Sequence, residues 1–86
     1  MPEISRFYGI IIKMYFLDYG QPHFHAEYQN MKAKFDIESL EIIAGALPVS
    51  AVRLVREWAS KHRDELRENW QKSKRPETLK KIQPLD

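Results

Sequence analysis

The apolar residues of this 86-residue chain change their period once, at Pro48, and that change limits the folds open to it. Before it, PHFHAEYQ (22–29) alternates strictly: His23, His25 and Glu27 point one way, and Phe24, Ala26 and Tyr28 the other. KAKFDI (32–37) repeats the pattern, with Lys32, Lys34 and Asp36 opposed to Ala33, Phe35 and Ile37. A tight turn near Gln29 and Asn30 joins the two runs, so their polar residues share one side of a hairpin. After Pro48, Ala51, Val55, Trp58, Ala59, His62 and Leu66 recur at helical spacing as one apolar stripe. Pro48 itself suits the first turn of a helix, where its missing N–H would be unsatisfied anyway.

Two further strands are expected. Phe7 to Leu17 is dense in Ile, Tyr and Phe with Lys13 as its only interior charge, and forms the body of a strand over about 5–17. DYGQP (18–22) has turn chemistry, and LEII (40–43) adds a strand over about 40–44 before Gly45. The reading is α+β: an antiparallel meander of about four strands (5–17, 23–29, 31–37, 40–44), then one long helix over 48–74 packed on the sheet. An extended tail over 75–86, with the shape of a short docking strand, completes a single domain spanning 1–86. A chain this short has apolar surface for one small core only.

Composition narrows the function classes. At 43% hydrophobic and 30% charged the chain reads as globular and soluble. It has no cysteine, so neither a disulfide nor a thiolate nucleophile or ligand is available, which fits a reducing cytosol. The apolar run near the start is broken by Lys13 and ends at Asp18, too short for a bilayer span, and it lacks a signal-like charged start. A cytoplasmic protein without membrane association is expected. Net charge is +2, divided as −2 over residues 1–45 (four Lys/Arg, six Asp/Glu) and +4 over 46–86 (ten against six). The basic half is compatible with an acidic partner or nucleic acid.

Three chemistries can be read from the residues. His23 and His25 beside Lys34 supply a general acid/base pair and a phosphate ligand, the parts of a small metal-independent ribonuclease. His23, His25 and Glu27 could instead converge on a divalent metal, although the spacing recurs by chance and a full ligand set needs help from elsewhere in the fold. His62 could help only from the same side of the sheet. Both readings compete with a charged hairpin face whose partners are Lys32, Lys34 and Asp36. That face ranks first, catalysis second and metal third, so no cofactor is expected. On the helix, Arg53, Arg56, Arg63 and Arg67 share a face that could bind phosphates, against a solvated face laced with pairs such as Arg53–Glu57 and Lys61–Glu65. Trp58 and Trp70 fit helix–sheet packing, and Tyr15, Tyr19 and Tyr28 could stack on bases or simply furnish a sheet. Arg56 and His62 have the Arg-x5-His spacing of some all-helical ribonucleases, whose helical bundle this chain cannot form.

MPEISRFYGIIIKMYF, PHFHAEY, EWASKHRDELRENW and the closing LKKIQPL together resemble a bacterial family, domain of unknown function 4160. Gln21 stands where that pattern has a second proline. Members are similar to toxins of two-gene toxin–antitoxin modules, encoded beside domain of unknown function 2442. The resemblance implies a cytoplasmic bacterial protein with a small antitoxin-like partner; RNA as a candidate target comes from the histidine and lysine reading above. It carries over no catalytic residues. A non-catalytic module that docks a partner protein is the alternative.

Overall fold

The structure, a computed structural model, describes residues 3–75 and 77–86. Met1 and Pro2 of the MPEIS start, and Pro76 at the head of the tail, lie outside the described residues. Five antiparallel strands run in sequence order across one sheet: β1 (Glu3–Phe7), β2 (Ile10–Lys13), β3 (His23–Tyr28), β4 (Met31–Asp36) and β5 (Ile42–Gly45). Two helices follow, α1 (Val49–Lys61) and α2 (Arg63–Lys74). The class is α+β, as the change of period requires.

Three boundaries differ from the sequence reading, the smallest being the strand expected over 40–44, which is Ile42–Gly45 because Leu40 (φ 61°) and Glu41 belong to the connection before it. The expected strand over 5–17 is two strands joined by Tyr8 and Gly9, whose φ values of 51° and 79° make a two-residue turn matched to strand twist, and the second ends at Lys13, so residues 14–17 already belong to the loop. The expected single helix over 48–74 is interrupted at His62 (φ −126°, ψ 25°), whose N–H reaches back only to Ala59 O. No Gly or Pro marks this break, so the helical pattern runs through it unbroken.

The β3–β4 register pairs His23 with Asp36, His25 with Lys34 and Glu27 with Lys32, so the polar residues do share one face. Their opposite numbers form the core. Phe24 and Phe35 stack across the hairpin at 5.3 Å, and Trp58 of α1 closes on Phe24 (5.9 Å) and Phe7 (5.3 Å). Ala51, Val55, Trp58, Ala59 and Leu66 of the helical stripe are all buried, with Ile10 and Ile12 of β2. The helices therefore cover one face of the sheet and leave the His25/Lys34 part of the other face open, while Trp70 at the end of α2 reaches the His23 ring.

The tail is extended but is not a strand. It is held by side chains and one ladder bond: Asn69 Nδ2 donates to Lys80 O and Asn69 Oδ1 accepts the Lys80 N–H, both 2.8 Å. The Trp58 indole donates to Gln83 O at 2.9 Å, and the Ile82 N–H meets Ile4 O on the outer edge of β1 at 2.8 Å.

Asp36 closes the β4–β5 connection. Its Oδ1 accepts the N–H groups of Glu38 (2.7 Å) and Ser39 (2.8 Å), while Gln21 donates to Oδ2. The Ser39 N–H and the Gln21 amide hold this carboxyl below its ordinary value. A folded pKa below the unfolded one stabilises above the unfolded value and loses that contribution as pH falls through the folded value. Asp36→Asn is thus expected to cost stability at neutral pH. Urea midpoints of the two proteins should converge as pH drops below about 4, and a constant gap would show that the charge is not involved.

Candidate functional site

At one end of the uncovered face, three side chains from the β2–β3 loop and β3 meet. Asp18 Oδ2 lies 3.0 Å from His23 Nε2 and 3.1 Å from His25 Nε2. The loop is pinned to the end of α2, with the Leu17 N–H donating to Ser73 O at 3.0 Å and the Lys74 ammonium donating to Asp18 O. Asp18 Oδ1 accepts the Tyr19 N–H at 2.9 Å, which turns Oδ2 toward the imidazoles.

The two histidines differ in access. The His23 side chain is 3% exposed and packs 5.2 Å from Trp70, and its Nδ1 lies 2.7 Å from Gln21 O. A carbonyl only accepts, so Nδ1 carries the hydrogen and Nε2 is the atom aimed at Asp18. His25 is half-buried, with Tyr15 edge-on at 4.5 Å. Burial lowers its pKa most, with the His23 and Lys34 charges adding and the Asp18 hydrogen bond opposing. Asp18 is held below the ordinary carboxylate range: burial opposes ionisation, but the bonds from His25 and the Tyr19 N–H outweigh it.

Lys34 stands across from His25, and a groove of about 230 Å³ lined by His25, Lys32, Lys34, Ala33, Ala44 and Gly45 opens beside it. Among the described residues neither Lys32 nor Lys34 has a carboxylate within ion-pair distance. Glu27, the carboxylate expected beside the histidines, pairs instead with Lys13 at 3.0 Å. Asp36 faces His23 across the ladder, but its carboxylate serves the loop described above. Asp18 takes the place expected of Glu27. Its sequence signal is faint, a turn aspartate five residues before His23 that only the loop's fold brings back.

His62 does not join them. It packs 5.7 Å from Trp58 and pairs with Glu65 at 2.6 Å. The arginine face divides. Arg56 binds Leu40 O and Glu41, Arg63 donates to Ile37 O, and Arg67 forks onto Glu38 (2.7 and 2.6 Å) with Asp64 at 2.9 Å. These three tie the helices to the β4–β5 connection, while Arg53 is exposed. Lys61 pairs with Glu57 at 3.5 Å rather than Glu65.

A family model described as Domain of unknown function (DUF4160) matches residues 9–71. The chain belongs to that family. The DUF4160 span contains Asp18, His23, His25 and the lysine groove, whereas β1 and the tail fall outside it. No curated protein and no solved structure matches the chain. Among the described residues no helix is long and apolar enough to cross a membrane.

Proposed function

We propose that this protein acts on a phosphodiester, with RNA as the substrate class, as the toxin-like member of a two-protein bacterial module in the cytoplasm. The observation that carries the reading is the juxtaposition of a carboxylate-backed imidazole, His25, with two lysines that have no carboxylate partner among the described residues, on the open part of the sheet face. Lys34 and Lys32 would take the phosphate oxygens. With Nε2 turned to Asp18, His25 Nδ1 has no hydrogen-bond partner among the described residues and can accept a proton from substrate. In RNA cleavage the 2′-hydroxyl would attack phosphorus, its proton passing to His25. The P–O5′ bond would break, and the leaving oxygen would take a proton from Lys34 or water. His23, buried with both nitrogens engaged, positions Asp18 rather than meeting substrate.

The antitoxin-like partner is proposed to cover the same groove. β5 supports this: its outer edge is open among the described residues, and Ala44 and Gly45 belong to both edge and groove.

Purified protein is expected to cleave single-stranded RNA, with His25→Ala and Lys34→Ala each losing on the order of 10²-fold or more. Arg67→Ala should cleave as wild type, since that guanidinium is committed to Glu38 and Asp64. Intact RNA in every lane, together with capture of the neighbouring gene's protein, would replace this reading with a non-catalytic docking module. Equal cleavage by wild type and His25→Ala would remove the imidazole from the mechanism.

A further inference from the structure

We propose that Asp18, His23 and His25 hold one divalent transition-metal ion, zinc or a close neighbour in the first row, through Asp18 Oδ2 and the two Nε2 atoms. One ligand atom from each residue lies within 4.8 Å of the others, so a single ion can reach all three. The 3.0 and 3.1 Å edges from Oδ2 to the ring nitrogens fit bonds of about 2.1 Å meeting at roughly 90°. The residues are those of the two-histidine, one-carboxylate set, which leaves the remaining coordination positions open.

Proton placement supports the assignment independently of distance. The His23 hydrogen is fixed on Nδ1 by Gln21 O, so in the neutral ring Nε2 offers a lone pair to a carboxylate oxygen that also offers only lone pairs. Two lone pairs at 3.0 Å repel unless a proton or a metal ion lies between them. A metal ion would take the His23 Nε2 lone pair and lies within reach of His25 Nε2 as well.

The supporting contacts have the form such sites use. His23 gives its other N–H to a main-chain carbonyl, which fixes its tautomer and ring plane. Asp18 is held at both ends, by the Tyr19 N–H on Oδ1 and the Lys74 ammonium on its carbonyl oxygen. The nearby cations are accounted for: Lys13 is paired with Glu27, Lys74 is turned to Asp18 O and the Trp70 ring, and Lys34 faces His25. The loaded centre together with Lys34 would be positive, which favours an anion, hydroxide or phosphate oxygen, in the open positions. Two imidazoles select against magnesium and calcium, which take oxygen ligands.

The assignment does not rest on the RNA reading, which uses His25 Nδ1 as base in the ion-free protein: an ion on His25 Nε2 leaves the ring hydrogen on Nδ1, so the two belong to separate states and fail separately. Chelator-stripped protein is titrated with Zn²⁺ by calorimetry, and Zn²⁺ or Co²⁺ retained after desalting is counted per chain. Wild type and His62→Ala are expected to retain one ion, unaffected by excess Mg²⁺, and Co²⁺ to give visible absorption bands. Asp18→Asn and His25→Ala, at partly exposed positions, should stay folded by circular dichroism and lose the retained ion. His23→Ala is a poorer probe because that ring packs on Trp70. Zinc and cobalt both absent from desalted wild type would overturn the proposal, as would Asp18→Asn and His25→Ala binding like wild type. Cleavage by stripped protein with no ion bound would leave the RNA reading standing alone. A bound ion without cleavage would do the reverse.

Discussion

Trp58→Ala is expected to lower stability by about 3–5 kcal/mol, a large part of what a domain of this size possesses. The indole is fully buried and touches both layers: Phe7 and Phe24 of the sheet on one side, His62 at the helix break on the other. Its N–H also holds the tail through Gln83 O. A thermal melt should show a midpoint roughly 15 °C or more lower, since each kcal/mol moves such a small domain by about 4–8 °C. Trp58→Phe keeps most of the apolar volume and removes the hydrogen bond, so it should cost far less than the alanine change. A midpoint for Trp58→Ala within a few degrees of wild type would mean that the helices are not held on the sheet by this ring.

Gly45→Ala is expected to be the second most damaging single change. Gly45 has φ of 78°, which alone costs a side-chain-bearing residue about 1–3 kcal/mol. Here an added Cβ would also run into the main-chain oxygen of Lys32, the same oxygen that accepts the Ala46 N–H at 3.0 Å. Backbone cannot swing aside as a side-chain tip can, so β5 would have to leave β4. Gly20→Ala is the control: its φ of 88° carries similar strain, but nothing lies within 4 Å of the added carbon. Hydrogen exchange should show protection lost along β4 and β5 in Gly45→Ala and retained in Gly20→Ala. Equal behaviour of the two would reduce the effect to backbone strain alone.

What the chain discloses before folding follows from which signals are local. Alternation over His23–Tyr28 and Met31–Asp36 is local, so the hairpin's register and its His/Lys face could be read directly. The helical stripe was legible for the same reason, with five of its six positions buried. The break at His62 was hidden because the pattern continues through it. The Tyr8–Gly9 turn was masked by a run of β-forming residues, with Gly9 as its one mark. For the site, period-two spacing placed His23 and His25 together and wrongly added Glu27, which has the right face but a nearer cation in Lys13. Asp18 depends on a loop folding back against the end of α2, a long-range fact that no spacing encodes. The arginine face was ambiguous for a related reason. Its carboxylate and carbonyl partners at Ile37–Glu41 lie far away in sequence, and only packing brings them under the helices.

Trp70 gives the molecule a built-in optical gauge. Its ring lies 5.2 Å from that of His23 and has the Lys74 ammonium 4.4 Å from its centroid, whereas Trp58 is enclosed by the aromatic core. The chain's two indoles therefore report on different things. A paramagnetic ion such as Co²⁺ or Ni²⁺ in the Asp18–His23–His25 cluster would quench Trp70 emission at short range, and a Trp58→Phe background would isolate that signal. Occupancy could then be followed in real time on unlabelled protein.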